Sequence, residues 1–213
     1  MYNVVMNLVI SVIVVLTLIC ISELLWRVRD IDPEYTRKFV HISAGTFVAF
    51  WSLYLSRYQI LLLSAAFVIV VVMSRYIRFF KAIHSVQRPT WGELLFAVAV
   101  GSLAFVADSH WIYSAALLIM SVADGMAAVI GMKYGKSNRY SVFGYDKSMA
   151  GTLTFFLISM IILTVSAIFT PGIFSVWFIV IALVATVLEN VSIRGLDNLL
   201  VPLLVAVMLN AVH

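Results

Sequence analysis

The chain has 213 residues, of which 63% are hydrophobic and 11% are charged, and its formal net charge at pH 7 is +4. A soluble domain cannot bury so large a share of apolar surface, so the composition predicts a membrane protein with several spans. The single cysteine, Cys20, excludes a disulfide framework and a cysteine-ligated metal site, and the excess of basic residues lies in loops, which argues against nucleic-acid binding.

Eight apolar segments follow one another along the chain, each near the roughly 20 residues that a helical span needs. The first segment lacks the basic start and the cleavage site of a signal peptide, so we predict that it is a retained span. The sequence therefore predicts an all-α, polytopic transmembrane helix bundle, formed by a single integral-membrane domain over residues 1–213. The segments cover approximately residues 4–25, 39–55, 58–74, 91–107, 111–130, 150–169, 173–192 and 196–212.

The basic residues predict the orientation of this bundle. Thirteen of the fourteen Lys and Arg residues fall in the loops after the first, third, fifth and seventh segments, and Arg57 alone falls on the other side. Basic residues concentrate in short cytoplasmic loops of membrane proteins. We therefore predict that these four loops face the cytoplasm and that both termini lie on the opposite side.

The ionisable side chains within the spans all lie at their predicted cytoplasmic ends. Such side chains are costly in a membrane and commonly mark functional sites, although residues at a span edge can also simply extend to water. For His41, a structural role at the helix edge is as well supported as a functional one. For Asp124 the functional interpretation is favoured, because a carboxylate in a span costs on the order of 2.5–3.5 kcal/mol on insertion scales. The set is Glu23, His41, Glu93, Asp124, Glu189 and Asp197.

Acidic side chains that face many basic residues across one membrane edge suit a metal–phosphate substrate. Carboxylates bind Mg²⁺, and Lys and Arg bind phosphate oxygens. The stretch "GMKYGKS" is one residue too short for a P-loop and follows a membrane helix instead of a strand. Gly131 and Lys136 stay candidates for phosphate binding through a backbone amide and an ammonium group.

Four stretches, in chain order, resemble the signature blocks of the CTP-dependent lipid-alcohol kinases, the family of dolichol kinase, phytol kinase and CTP-dependent diacylglycerol kinase. They extend from Arg37 to Pro202, and the last block and the compact length resemble the phytol kinase branch in particular. The stretches are "RKFVHISAG" (37–45), "ADGMAAVIGMKYGK" (123–136), "DKSMAGT" (146–152) and "RGLDNLLVP" (194–202).

The resemblance implies transfer of the CTP γ-phosphate to the hydroxyl of a membrane-embedded prenol, of the phytol, geranylgeraniol or dolichol type, giving a prenyl monophosphate and CDP. Carried over by motif, it implies nucleotide binding by Arg37, Lys38, Gly131, Lys136, Lys147, Ser148 and Gly151.

The acidic residues then complete the expected site. Asp124, with Asp197 or Glu189, is expected to hold Mg²⁺. Asp124, His41, Glu189 and Lys147 are the catalytic candidates, and either a carboxylate or His41 orients or deprotonates the alcohol. The chain departs from many relatives at Ala150, where they have glutamate.

Two alternatives stay open. A cytidylyltransferase would use the same nucleotide and release pyrophosphate, but the K-R-x-x-x-x-K-D block of those enzymes is absent from the sequence. A small transporter would more naturally place its polar groups near the bilayer midplane, in broken helices of two matching halves, and the sequence has no such halves. The expected partners are CTP, a membrane prenol and the lipid bilayer; the motifs select neither one alcohol nor an oligomeric state.

Overall fold

A computed structural model of the chain describes residues 2–29, 33–77, 91–169 and 175–212. These residues form eight long helices, one for each predicted apolar segment, a single 3-10 turn at Trp51–Leu53 and a two-stranded antiparallel hairpin. The predicted all-α class is confirmed, and the hairpin is an addition to it. The helices are α1 (Tyr2–Arg29), α2 (Pro33–Ala49), α3 (Arg57–Ile77), α4 (Gly92–Val106), α5 (His110–Tyr134), α6 (Met149–Ser166), α7 (Ser175–Val191) and α8 (Asp197–Val212); the strands are β1 (Arg139–Val142) and β2 (Tyr145–Ser148).

Three of these helices are long and apolar enough to cross a membrane: α1 over Val4–Leu25, α5 and α6. Helices α3, α4, α7 and α8 contain shorter apolar stretches. Apolar side chains are exposed along much of α1, which is the pattern of a helix that faces lipid. The helices thus indicate a membrane protein, while the eight spans and the cytoplasmic orientation stay predictions.

Helix α5 is the centre of the bundle. It packs against α2, α6 and α8, and its first half is buried on all sides, with Ile112, Leu117 and Ile119 at most 1% exposed. A helix that is apolar around its whole circumference is covered by protein or by lipid, and in this part of α5 the cover is protein. Polar side chains in the buried part of α5, such as Ser121 and Asp124, are therefore held among the other helices.

Helix α2 begins six residues before the predicted segment 39–55 and ends earlier, at Ala49. Pro33 is its first residue, a position where the missing N–H of proline costs nothing. Hydropathy alone locates only the apolar part of such a helix. The new boundary places Lys38 and His41 on one helix, three residues apart and hence on the same face.

The central helix contains a π-helical turn at Ile119–Ala123. The backbone N–H of Asp124 bonds to the carbonyl of Ile119, five residues earlier, and also to that of Ser121. A π-turn inserts one residue into the helix and rotates the side chains that follow, and such turns are frequent at functional sites. Here the rotated segment begins with Asp124.

The hairpin follows α5 and precedes α6 in the chain, and the sequence analysis did not predict it. Its strands pair from Arg139 with Ser148 to Val142 with Tyr145. Phe143 and Gly144 form the two-residue turn with φ values of 49° and 79°, as a type I′ turn requires. The signal was present as two short alternating runs separated by a dipeptide that ends in glycine, but each run is only four residues long.

Candidate active site

A buried ion pair joins α2 to the central helix. Lys38 Nζ donates to Asp124 Oδ2 at 2.7 Å, and the two residues are 6% and 8% exposed. His41 Nε2 lies 3.3 Å from the same carboxylate oxygen and 3.1 Å from the carbonyl oxygen of Met120. Sequence analysis identified Asp124 as a carboxylate in a span, and the structure supplies its two partners.

The position of His41 bears on its chemical role. Both neighbours of Nε2 are acceptors, the Asp124 carboxylate and the Met120 carbonyl, so Nε2 carries a proton in this arrangement. A nitrogen that donates in this way does not accept the proton of an alcohol. The geometry therefore favours His41 as a group that orients Asp124 over His41 as a general base acting through Nε2.

Glycines allow α2 and α5 to approach closely enough for this pairing. A Cβ atom on Gly45 would lie 2.3 Å from Ser121 Cβ, and one on Gly125 would lie 2.2 Å from Ile42 Cγ1. Neither distance is possible between real side chains, so the two positions require glycine for close packing. The short helix separation brings Lys38 within reach of the carboxylate on the facing helix.

A second ion pair connects the hairpin to α7. Lys147 Nζ donates to the carboxylate of Glu189 and, at 3.1 Å, to the Glu189 carbonyl oxygen. Burial alone would lower the pKa of Lys147, but the adjacent Glu189 carboxylate, together with smaller contributions from Asp197 and Asp124, raises that pKa above its ordinary value. Lys147 is therefore an ammonium ion at neutral pH, suited to binding an anion and not to accepting a proton.

A network of polar side chains fixes the hairpin to α6 and α7. The Tyr140 hydroxyl donates to Asn190 Oδ1 and also contacts the hydroxyl of Thr152 on α6. Thr152 in turn donates to Asn190 Oδ1 at 3.2 Å, and Asn190 Nδ2 donates to the Thr186 carbonyl at 2.9 Å. Tyr140 and Thr152 were missed as functional candidates, because a tyrosine and a threonine in short runs carry no pattern of their own. Their contacts hold Lys147 next to Glu189.

Asp124, Glu189 and Asp197 line one narrow cleft together with Asn198, and in this structure the cleft is too tightly closed to hold a water molecule. The remaining lining is apolar and comes from α5, α6 and α8. Asp197 and Asn198 begin α8, and Asn198 Nδ2 donates to the Gly92 carbonyl at 3.0 Å, which ties α8 to the start of α4. Side chains that are far apart in the sequence are thus collected at one point of the bundle.

The carboxylates of the cleft are the candidate ligands for a magnesium ion. Among the described residues, no group of three or more His, Cys, Asp or Glu side chains is close enough to hold a metal ion alone. Mg²⁺ in nucleotide sites is usually held by one or two carboxylates together with substrate phosphates. Asp124 and Asp197, which line the same cleft, provide that number of carboxylates.

Lys38 and Lys147 do not line this cleft themselves, but each pairs with a carboxylate that does. Arg37 pairs with Glu34 on its own helix at 2.5 Å and is half-buried. Lys136, which follows the end of α5, is exposed. Lys38 and Lys147 thus reach the cleft through their carboxylate partners, whereas Arg37 pairs with Glu34 and Lys136 is exposed to solvent.

The predicted nucleotide-binding glycines lie where α5 and α6 pack together. A Cβ on Gly131 would lie 3.0 Å from Ser148 Oγ, and one on Gly151 would lie 2.9 Å from the Ala127 carbonyl oxygen. Ser148 caps α6, since its Oγ accepts from the Gly151 N–H at 3.1 Å. Close packing and helix capping account for these three residues without a nucleotide.

The change Gly151→Ala tests this packing role. Its new methyl group would meet a backbone carbonyl that cannot move aside, so we expect the free energy of unfolding to fall by about 1–3 kcal/mol. Gly131→Ala is the matched control, because the nearest atom there is the side-chain hydroxyl of Ser148, and we expect a smaller change. Thermal unfolding of the purified variants measures both. An unchanged melting temperature for Gly151→Ala together with weaker CTP binding would contradict the packing role.

Comparison with known proteins gives one substantial match. No family model matches the chain, and no solved structure matches it. The chain is 35% identical over 189 residues to the phytol kinase of Synechocystis sp., and the alignment covers 85% of this chain and 81% of that protein. A similarity of this extent relates nearly whole chains and not isolated motifs.

Proposed function

The chain belongs to the phytol kinase family, and from this premise we propose that it is a CTP-dependent prenol kinase. The reaction transfers the γ-phosphate of CTP to the hydroxyl of a membrane prenol and yields a prenyl monophosphate and CDP. The observation that carries the proposal is the cleft in which three carboxylates lie together, two of them paired with lysines. Phosphoryl transfer depends on positioning and on charge neutralisation, and this set of side chains supplies both.

The carboxylates of the cleft and the cationic or imidazole side chains beside them each have a role in the proposed reaction. Asp124 and Asp197 would hold Mg²⁺, which neutralises charge on the phosphates. Lys38 and Lys147 bind phosphate oxygens, and His41 keeps the Asp124 carboxylate in place. The prenol oxygen forms a bond to the γ-phosphorus as the bond from that phosphorus to the β,γ-bridging oxygen breaks. The hydroxyl proton passes to a cleft carboxylate, for which Glu189 is our candidate.

The depth of the cleft supports a lipid alcohol as the acceptor. Asp124 lies on the central apolar helix and is 8% exposed, and apolar side chains such as Met120 and Phe155 line the cleft beside it. A prenol places its tail among apolar helices and its hydroxyl near the polar headgroups. The phytol of the Synechocystis relative's name is accordingly the first alcohol to test.

The deciding experiment determines which phosphorus atom of CTP is transferred to the lipid. Purified protein in lipid vesicles is incubated with Mg²⁺ and CTP labelled at either the α or the γ phosphorus, with phytol, geranylgeraniol, dolichol or diacylglycerol. We expect γ label, and no α label, in the lipid product of at least one prenol. Transfer of α label would instead indicate a cytidylyltransferase, and no labelled lipid with any of the four alcohols would refute the kinase proposal.

A further inference from the structure

Both lysines of the cleft are already occupied by carboxylates. Lys38 donates to Asp124 at 2.7 Å, and Lys147 pairs with Glu189. Lys38, Asp124 and Glu189 are at most 8% exposed. Unpaired charges at such depth are very unfavourable, and in the protein without substrate these charges are paired with each other.

A nucleotide without a metal ion fits this arrangement poorly. Its phosphates would have to displace Asp124 from Lys38 and Glu189 from Lys147. The displaced carboxylates would then lie unpaired beside a polyanion, and like charges so close together repel each other strongly. The metal complex of a nucleotide avoids this repulsion, because its cation would bind Asp124 and its positive charge would offset that of the displaced Glu189, while its phosphates bind the two lysines.

We propose that Lys38 and Lys147 form a phosphate-binding pair that Asp124 and Glu189 mask until a metal–nucleotide complex exchanges partners with them. The ligand class is a nucleoside triphosphate bound to a divalent cation, and in this respect the inference rests on the proposed function. The carboxylates thereby act in substrate selection, as well as in transfer, because they exclude the metal-free triphosphate.

Removal of a mask should therefore strengthen the binding of a metal-free nucleotide. We measure equilibrium binding of CTP in excess EDTA to the parent protein, to Asp124→Asn and to Glu189→Gln. Each variant uncovers one lysine, which can then form a charge-assisted hydrogen bond to a phosphate of CTP. We therefore expect each variant to bind metal-free CTP at least about tenfold more tightly than the parent does. The same conversion of a hydrogen-bond free energy into affinity predicts that the parent binds Mg²⁺–CTP at least about tenfold more tightly than metal-free CTP.

Two controls separate unmasking from a general change in charge. The first is Asp108→Asn, which removes one negative charge at an exposed turn roughly 20 Å along α5 from Asp124; it should leave metal-free binding unchanged. The second is Lys38→Met combined with Asp124→Asn, which removes the uncovered lysine and should return the affinity to that of the parent. Size-exclusion chromatography establishes which variants are folded.

The inference fails if neither folded single variant binds metal-free CTP more tightly than the parent. Should Asp124→Asn not fold, Glu189→Gln carries the same test on the other lysine. Equal affinity of the parent for CTP with and without Mg²⁺ would also overturn it. Failure of this inference can be told apart from failure of the proposed function. If the parent transfers γ label but its variants do not bind metal-free CTP more tightly, only the masking inference is refuted. If the variants bind it more tightly but the parent transfers label to no alcohol, only the proposed kinase activity is refuted.

Discussion

Replacement of Asp124 by asparagine should lower kcat on the order of 10³-fold, because the change removes a full charge from the point where the phosphates, the metal and Lys38 meet. The same substitution should destabilise the protein, since it strands the ammonium of Lys38, which is 6% exposed, and loss of one partner of a buried pair costs about 3–5 kcal/mol. Specific activity per folded molecule and melting temperature, measured side by side, separate the two effects.

A double variant assigns these effects to their causes. Lys38→Met combined with Asp124→Asn removes both charges, and replacement of a complete buried ion pair by neutral groups is commonly tolerated. We therefore expect the melting temperature to recover toward that of the parent, while turnover stays lost. If the double variant regains activity along with stability, or if Asp124→Asn alone keeps near-normal turnover per folded molecule, Asp124 is a structural residue and not a catalytic one.

Replacement of Lys147 by methionine is expected to have the second largest effect. Methionine keeps much of the length of the side chain but removes the ammonium group that would bind phosphate. The loss of a charge-assisted hydrogen bond of about 1.5–3 kcal/mol corresponds to a decrease in kcat/KM of roughly 10- to 150-fold. The KM for CTP should rise, and the KM for the prenol should change little, because Lys147 lies on the hairpin and not among the apolar helices.

The control for this variant is Lys133→Met, which removes an exposed cation near the end of α5. Lys133 Nζ lies 5.1 Å from the centre of the Tyr134 ring, and the side chain does not line the cleft. Its substitution should leave both KM values within about twofold, as is usual for an exposed site without special contacts. A Lys147→Met enzyme that loses affinity for the prenol and keeps its KM for CTP would contradict the proposed phosphate contact.

The sequence by itself determined the class of the molecule and the position of its helices along the chain. Apolar runs near the length of a bilayer are a local property, so each of the eight predicted segments overlaps a helix of the structure. The boundaries depended on more than hydropathy. Helix α2 begins at Pro33, well before its apolar part, and for that reason Lys38 lies on the helix and not in a loop.

The family could also be predicted from local information. The four blocks are short, ordered stretches that need no knowledge of contacts, and similarity over 85% of the chain to a phytol kinase confirms the family they indicated. The hairpin between α5 and α6 shows the limit of such reasoning. Its two four-residue strands carry too little pattern to stand out, and contacts made by Tyr140 with α6 and α7 hold it in place.

Only the tertiary structure decided which charges meet. Lys38 and Asp124 are 86 residues apart and Lys147 and Glu189 are 42 apart, and nothing in a sequence of mixed acids and bases selects these pairs over others. The selection follows from packing: Gly45 and Gly125 let α2 lie against α5, and the π-turn before Asp124 directs its carboxylate toward the cleft. Buried charges must find partners wherever the backbone places them, so the fold converted a list of candidate residues into a site with two defined ion pairs.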